Sequence, residues 1–253
     1  MPAVILHHGL LGGGMRIGRL KWGSFRHINT FIAASGYPVF VSAVHPTASV
    51  QRRAGELQKW ILSLLPQLRG EPIILVAHSM GGLDARYLLA KSDLSRHIAA
   101  LVTVCTPHHG SPLADWVLEH FGRSFKALSW AEKFGLEIGA VPDLTCERCA
   151  IFNQQIPNVP GVRYYSVGAS RPFRDMPAFA KFSHAIISKS DGPNDGLVSV
   201  RSAKWGTYLG TWRADHWQSV NRRYSWRKRH RPVNIAQNYL SAVEIAAKNL
   251  NPR

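Results

Sequence analysis

A serine between small residues stands where an apolar run gives way to a helical pattern. Ser79 follows the apolar stretch 73–77 in the order Ala77-His78-Ser79-Met80-Gly81. A strand that turns sharply into a helix at a serine holds it in a strained backbone and projects its hydroxyl from the carboxyl end of a sheet. The spacing is typical of the nucleophile elbow Gly-x-Ser-x-Gly, with Ala77 replacing the first glycine. A serine that only caps a helix N-terminus is the alternative.

A glycine-rich loop follows the first apolar stretch of the chain. Val4-Ile5-Leu6 predicts a short buried strand, which runs into the loop from His7 to Gly14. The loop lacks the Gly-Lys-Ser/Thr ending of a phosphate loop and a dinucleotide fingerprint, which argues against nucleotide binding. A His-Gly-apolar loop after an early strand is where such a hydrolase architecture places one oxyanion donor, and the residue after the nucleophile supplies the other. We therefore nominate the backbone amides of Leu10 and Met80.

An acid and a base follow the serine in the chain order that this elbow requires. Asp195 lies in the turn-rich stretch 192–196, and His216 follows a strand-like stretch from Thr207 to Gly210. We expect Ser79 to attack a carbonyl carbon, His216 to transfer its proton, and Asp195 to orient the imidazole. The sequence leaves weaker alternatives for the acid and the base, namely Asp191, Asp175, Asp143, His184 and His230.

Taken in order, four motifs resemble those of the triacylglycerol lipases of bacterial family I and their fungal relatives. They are His8-Gly9-Leu10, Ala77-His78-Ser79-Met80-Gly81-Gly82, Thr106-Pro107-His108-His109-Gly110-Ser111, and Asn194-Asp195-Gly196-Leu197-Val198 with Asp215-His216. The similarity runs from about residue 4 to about residue 221. It implies an α/β-hydrolase fold, a Ser-Asp-His triad, and hydrolysis of carboxylic esters at or near a lipid interface, with no cofactor or metal in the chemistry.

One position departs from that family. Its bacterial members often hold a structural calcium ion, with an aspartate two residues after the catalytic histidine, and this chain has Gln218 there. A neutral amide removes charge on which a hard cation relies. We expect this calcium site to be absent or weak, although Asp175 lies where the other calcium aspartate of the family would fall.

Alternating strand and helix patterns position these residues. They predict a mostly parallel central sheet flanked by helices, in one α/β domain over residues 1–253. A dense apolar set predicts a helical cap or lid at about 112–155, which either opens over an acyl pocket or packs permanently on the sheet. The predicted elements are the strands Val4 to Leu6, Val39 to Val44, Ile73 to Ala77 and Ala99 to Cys105, and the helices Arg53 to Leu65, Gly82 to Lys91 and Val233 to Leu250.

The chain is strongly basic, with a formal net charge of +16 from 31 Lys plus Arg against 15 Asp plus Glu. Such a balance favours anionic partners. We predict peripheral contact with an anionic membrane surface, disfavour nucleic acid, and keep a merely solvated loop as the alternative. The densest basic cluster, interleaved with aromatic residues, comprises Arg222, Arg223, Arg227, Lys228, Arg229 and Arg231.

The sequence contains no stretch that predicts a transmembrane helix and no charged-then-apolar leader, so a cytoplasmic protein is expected, or a secreted one if a leader was trimmed. We predict that Cys146 and Cys149 are free thiols or form a minor local bridge, and that Cys105 lies in the core.

An acyltransferase or a polyester hydrolase would use the same triad. The ordered triad argues against a non-enzymatic module that binds membrane or nucleic acid.

Overall fold

The computed structural model describes residues 1–12, 15–17, 20–22, 25, 27–121, 140–222 and 234–250. Five members of the basic cluster, and the middle of the expected cap at 122–139, lie outside the described residues. Those five members are Arg223, Arg227, Lys228, Arg229 and Arg231. His230, one of the weaker candidates for the base, also lies outside them.

The described chain builds a parallel sheet of six strands in the order β4-β1-β5-β6-β7-β8 and a separate antiparallel pair, β2-β3. The strands are β1 (Ala3–His7), β2 (Met15–Ile17), β3 (Leu20–Trp22), β4 (Val39–Val41), β5 (Ile73–His78), β6 (Ile98–Val104), β7 (Arg163–Ala169) and β8 (Thr207–Trp212). Val4 pairs with Ile74 across β1 and β5, and Ile74 pairs with Ala100 across β5 and β6. Parallel pairing requires crossover connections, and the intervening helices supply them.

The helices of the described chain cover both faces of the sheet. They are α1 (Ile28–Ala34), α2 (Val50–Leu68), α3 (Gly81–Lys91), α4 (Pro112–Phe121), α5 (Cys146–Gln155), α6 (Ala178–Asp191) and α7 (Ile235–Lys248). Short 3-10 helices occur at Asp93–Arg96, Pro142–Leu144, Phe173–Asp175 and Gln218–Val220. None of the described helices is long and apolar enough to cross a membrane.

Side chains alternate along the strands, so each strand contributes to two apolar layers. Val4 and Leu6 of β1 pack with residues of α1 and α7, whereas Ala3 and Ile5 pack with residues of α2 and α3. The strands of a sheet that is buried on both faces have continuous apolar sequences, and β1, β5 and β6 have such sequences. The predicted α/β fold with a mostly parallel sheet is therefore confirmed.

Several predicted boundaries differ from the structure by one or two residues, and those of α2 and β4 differ by three. Helix α2 begins at Val50, not Arg53, because the Ser49 side chain caps it by accepting a hydrogen bond from the Arg52 N–H. Strand β4 ends at Val41, three residues before the predicted end. There the chain turns toward the N-terminal loop, and the Ser42 hydroxyl lies 2.7 Å from His7 Nδ1.

The expected cap is described at its two ends only. Helix α4 forms one end, and the 3-10 helix Pro142–Leu144 with α5 forms the other. Trp116 of α4 packs edge-on against Phe182 of α6, with ring centroids 5.0 Å apart. The cap boundaries remain a prediction. All three cysteines are free thiols, and Cys105 is buried as expected.

Candidate active site

Ser79 occupies the sharp turn between β5 and α3. Its φ of 55° lies in the left-handed region, which costs a non-glycine residue on the order of 1 kcal/mol or more. Three hydrogen bonds hold it there: its N–H donates to the Val104 carbonyl at 2.8 Å, and its carbonyl accepts from the Thr106 hydroxyl at 2.7 Å and the Gly82 N–H at 3.0 Å. The turn fixes the serine hydroxyl at the carboxyl end of the sheet.

Glycines around the turn permit close backbone contact. A Cβ on Gly81 would lie 2.8 Å from the His8 carbonyl oxygen, and one on Gly9 would lie 2.6 Å from Ser79 Cβ. Neither distance is tolerated by a real side chain. Ala77 stands at the first glycine of the elbow pattern, and its methyl group is accommodated in the apolar layer beneath α2 and α3.

Ser79, His216 and Asp195 form a continuous chain of hydrogen bonds. Ser79 Oγ lies 3.0 Å from His216 Nε2, and His216 Nδ1 lies 2.8 Å from Asp195 Oδ2. The other carboxylate oxygen accepts from the N–H groups of Leu197 at 2.9 Å and Val198 at 2.7 Å. Because a carboxylate only accepts, the imidazole proton belongs on Nδ1, which leaves the Nε2 lone pair facing the serine hydroxyl.

The alternative acids that the structure describes contact other partners. Asp191 accepts from the Ser199 hydroxyl at 2.8 Å, and Asp175 pairs with Arg174 at 4.0 Å. Asp143 accepts from the Val50 N–H at 2.9 Å, and its burial raises its pKa.

The alternative base His184 is also engaged away from the serine. Its Nε2 donates to the Arg171 carbonyl at 2.9 Å. His108, which the sequence left unassigned, lies 2.9 Å from the Thr103 hydroxyl, and its carbonyl accepts from Asn153 of α5 at 2.9 Å. His108 therefore fixes a neighbouring loop to the scaffold.

The two nominated oxyanion donors lie near the serine, since Leu10 lines the same cavity as Ser79 and Met80 is the next residue in the chain. The Gly9 carbonyl accepts from His8 Nδ1 at 2.8 Å and from the Gly12 N–H at 3.2 Å, which turns the next N–H, that of Leu10, the opposite way. Within the part of the chain that the structure describes, neither the Leu10 nor the Met80 N–H is paired with an acceptor. Both are available to a ligand oxygen.

The sequence patterns did not predict a buried ionic network that contacts the glycine-rich loop of Leu10. Arg53 Nε donates to Asp84 Oδ2 at 2.8 Å, and Arg53 Nη2 donates to the His8 carbonyl at 2.6 Å. His7 Nε2 lies 2.9 Å from the same Asp84 oxygen, and burial lowers the pKa of His7. The sequence did contain one signal of this network, because Arg53 lies among the apolar positions that α2 turns toward the core.

A second histidine lies beside His216. The ring centroids of His78 and His216 are 4.7 Å apart, and His78 Nε2 lies 2.8 Å from the Ser219 hydroxyl. Burial first, and the neighbouring His216 second, hold the pKa of His78 well below its ordinary value. His78 therefore stays neutral and places no charge next to His216.

The serine opens into an apolar cavity of about 360 Å³. Its walls come from α4, the 3-10 helix before α5, and the loops that carry the acid and the base. The apolar lining residues include Leu10, Leu113, Val117, Leu144, Leu197 and Trp217. This volume falls in the range of small-molecule sites. A larger cavity of about 770 Å³ lies near Glu71 and His97, at the starts of β5 and β6, remote from Ser79.

Two places in the described chain raise the question of a metal. His78, Cys105 and His216 bring ligand atoms within 4.8 Å of one another, but burial raises the pKa of Cys105 well above its ordinary value, and it stays a thiol. Both nitrogens of His216 already have partners in the chain of hydrogen bonds described above. This group fits a hydrogen-bonded site better than a metal centre.

A guanidinium group lies at Gln218, the position where bacterial family I lipases often have a calcium-binding aspartate. Gln218 Oε1 accepts from Arg171 Nη1 at 2.7 Å and from the Asp215 N–H at 3.2 Å. Arg171 Nη1 also lies 3.7 Å from Asp215 Oδ2. A cation beside these oxygens would meet the positive charge of Arg171, so the residues present do not fit a calcium ion.

Comparisons with known proteins agree with this architecture. Residues 48–138 match the family described as PGAP1-like alpha/beta domain. Triacylglycerol lipase 2 of Saccharomyces cerevisiae is 35% identical over 201 residues, which cover 77% of this chain and 61% of the yeast protein. The chain thus spans about three-fifths of the length of that relative.

Two further similarities cover nearly the whole chain. A triacylglycerol lipase of Pseudomonas fragi is 26% identical over 279 residues, covering 94% of this chain and 93% of the relative. The crystal structure of a metagenomic carboxyl esterase is 25% identical with a TM-score of 0.82, covering 98% of this chain and 76% of that one. These similarities support assignment to the carboxylic ester hydrolases. The chain has the α/β-hydrolase fold of these lipases and esterases, and its sequence is similar to theirs.

Proposed function

We propose that this chain hydrolyses carboxylic esters of apolar acyl groups through Ser79, His216 and Asp195. One observation carries the proposal: a serine hydroxyl 3.0 Å from an imidazole nitrogen, in an apolar cavity with two backbone N–H groups beside it. The elements match what acyl transfer requires, namely a nucleophile, an oriented base and an oxyanion site.

In the proposed reaction Ser79 Oγ attacks the ester carbonyl carbon while His216 Nε2 takes the hydroxyl proton. The Leu10 and Met80 N–H groups stabilise the negative charge that develops on the carbonyl oxygen. The intermediate collapses, the acyl–oxygen bond to the alcohol breaks, and His216 returns the proton to the departing alcohol. Water, deprotonated by His216, then attacks the acyl-enzyme, the bond between the acyl carbon and Ser79 Oγ breaks, and His216 returns the proton to Ser79 as the acid leaves. Asp195 stabilises the imidazolium in both halves.

The cavity walls support an apolar acyl group as the substrate's buried part. Leu113 and Val117 lie one helical turn apart on α4 and both face the cavity, together with Leu144 and Val198. Besides the reacting residues, the polar lining side chains are His78, Ser111 and Arg222, so most of the wall offers no partner to a charged acyl group that has lost its water.

An exposed aromatic patch next to the cavity supports a lipid-surface location for the substrate. Phe173, Phe179 and Phe182, here called the aromatic patch, are 50%, 60% and 60% exposed. Phe179 packs edge-on against Trp217, which lines the cavity. Lys181 lies over the Phe173 ring at 5.1 Å, so the patch combines apolar area with positive charge. Aromatic and basic side chains together are typical of contact with lipid headgroups.

The predicted basic cluster adds to this proposal through its described member. Arg222 lines the same cavity, and its Nη2 donates to the Leu11 carbonyl at 3.3 Å. We propose that the substrate is presented on an anionic or mixed lipid surface.

The decisive experiment measures initial rates on p-nitrophenyl esters from acetate to palmitate, below and above each substrate's aggregation limit. Ser79→Ala is compared with wild type and with Ser63→Ala; Ser63 is an exposed serine whose hydroxyl donates to the Trp60 carbonyl. We expect activity that disappears in Ser79→Ala, persists in Ser63→Ala, and rises with long chains at the interface. Turnover that survives in Ser79→Ala would overturn the assignment of the nucleophile. Activity restricted to short soluble esters would replace the lipid substrate with a small one.

A further inference from the structure

Arg171 connects two loops that belong to different parts of the sequence. It follows β7 by two residues, and its N–H donates to the carbonyl of Asn194, the neighbour of Asp195, at 3.1 Å. Its own carbonyl accepts from His184 Nε2 of α6 at 2.9 Å. The backbone of Arg171 is therefore fixed to the loop that carries the acid.

The side chain of Arg171 reaches the loop that carries the base. It is 6% exposed, and its Nη1 donates to Gln218 Oε1 at 2.7 Å and lies 3.7 Å from Asp215 Oδ2. These two partners flank His216. The guanidinium thus contacts the turn that presents the imidazole.

Hydrogen bonds within that turn close it, and the Arg171 guanidinium contacts the two residues whose side chains form them. Asp215 Oδ1 accepts from the N–H groups of Trp217 at 3.1 Å and Gln218 at 3.0 Å, while Gln218 Oε1 accepts from the Asp215 N–H. The Asp215 carboxylate is fully buried, and a buried charge needs a compensating one. Arg171 supplies it.

We propose that Arg171 is a positioning residue, the internal cation that joins the loops of Asp195 and His216 and makes a calcium ion unnecessary there. This inference rests on the proposed function, since it concerns the geometry of the proposed triad. Arg171 does not line the cavity at Ser79. Its effect on the reaction passes through His216 and Asp195, so it should change the rate of the chemical step and leave substrate binding intact.

The test replaces Arg171 with alanine and measures kcat and KM on a short, soluble ester, with the melting temperature recorded in parallel. The matched control is Arg174→Ala, three residues away, where the side chain is 84% exposed. We expect kcat to fall by about 10- to 100-fold in Arg171→Ala, because small displacements of reacting groups cost rates of this order. We expect KM to stay within about twofold, and Arg174→Ala to behave as wild type.

Chemical rescue separates a positioning role from a merely structural one. Guanidinium chloride, far below denaturing concentrations, should raise kcat of Arg171→Ala several-fold, while sodium chloride at equal ionic strength should not. Wild-type activity should be unchanged by EDTA. A folded Arg171→Ala with wild-type kcat would overturn the inference, as would wild-type activity that EDTA abolishes and calcium restores.

A second variant covers the case in which Arg171→Ala does not fold. Gln218→Met keeps the side-chain volume and removes the acceptor at 2.7 Å, and we expect a smaller loss of kcat at unchanged KM. An unaltered kcat in that variant would contradict the proposal. Failure of the proposed function looks different, because wild type itself would then show no turnover that depends on Ser79.

Discussion

Asp195 contacts His216 twice: its carboxylate accepts from the imidazole Nδ1 at 2.8 Å, and its carbonyl accepts from the His216 N–H at 2.9 Å. The same residue thus fixes both the ring and the backbone of the proposed base. The backbone contact survives any change of the side chain. Substitution at Asp195 therefore isolates the role of the carboxylate.

Asp195→Asn should lower kcat by roughly 10⁴-fold with little change in stability. An amide can present its N–H to Nδ1, which moves the imidazole proton to Nε2 and turns a base into a donor toward Ser79. Ester hydrolysis and urea unfolding measure the two effects. The control is Asp191→Asn, which should keep the wild-type rate, because the Asp191 carboxylate pairs with Ser199 and Arg201. A loss in Asp191→Asn equal to that in Asp195→Asn would reverse the assignment.

Gly9→Ala should destabilise the protein by about 1–3 kcal/mol, because its Cβ would lie 2.6 Å from Ser79 Cβ in a packed site. Hydrolysis should fall as well, since the oxyanion loop must move away from Ser79. The control is Gly55→Ala in α2, where a Cβ meets nothing within 4 Å. Alanine is favoured in a helix, so this change should stabilise by about 0.5–1 kcal/mol. Denaturant unfolding of the two variants should give opposite signs.

Arg53→Ala should destabilise by about 3–5 kcal/mol, because it leaves the buried Asp84 carboxylate without its cation. Arg52→Ala, one residue earlier, removes a partly exposed pair with Glu56 and should cost about 0.2–1 kcal/mol. Guanidinium unfolding midpoints of the two variants measure the difference. Equal midpoints would mean that the Arg53 network contributes no more than a surface pair.

The order of motifs along the chain was enough to identify the residues that meet at Ser79. Each lies at the end of a predicted strand or in a predicted turn, and parallel strands bring their carboxyl ends together. The supporting residues were not predictable in this way. Arg53 and Asp84 are 31 residues apart, and His7 and Asp84 are 77 apart. Such pairs depend on how α2 and α3 pack, which local patterns do not specify.

The position at which this chain departs from the calcium-binding pattern of the family shows the same limit of local patterns. Gln218 could be recognised as an unsuitable ligand from its residue type alone. Its partner Arg171, 47 residues earlier, could not, because an arginine after a strand is usually solvated. Only the packing of the loops after β7 and β8 shows that the guanidinium is buried.

Stability should fall as the pH drops from about 6.5 toward 5. Burial, with His7 and Arg53 adding repulsion, lowers the pKa of His8 to about 3, and burial lowers the pKa values of His7, His78 and His108. In the unfolded chain these groups take up protons near their ordinary pKa of 6.5, whereas in the folded chain their pKa values are lower and they take up fewer protons at the same pH. The unfolded state therefore gains protons, and acid favours it.

Each such histidine contributes a slope of up to about 1.4 kcal/mol per pH unit below its unfolded pKa. Urea unfolding at pH 7, 6 and 5 should reveal the loss before most carboxylates titrate. His108→Gln, which removes one of these groups outside the site, should flatten the slope. An identical slope in wild type and His108→Gln would contradict the assignment of this histidine as buried and neutral.

The aromatic patch should govern adsorption to lipid and leave the chemistry alone. In Phe179→Ser with Phe182→Ser, two side chains that are each 60% exposed lose their apolar area. Burial of such a ring in the headgroup region is worth about 1.5–3 kcal/mol when complete, so binding to anionic phospholipid vesicles should weaken at least tenfold. Activity on a soluble short ester should stay near wild type. Leu62→Ser, a 47% exposed leucine on α2, is the control for a general loss of surface apolarity. Equal vesicle binding by the double variant and wild type would place the lipid contact on another face, because the rings next to Trp217 and the cavity would then contribute nothing to adsorption.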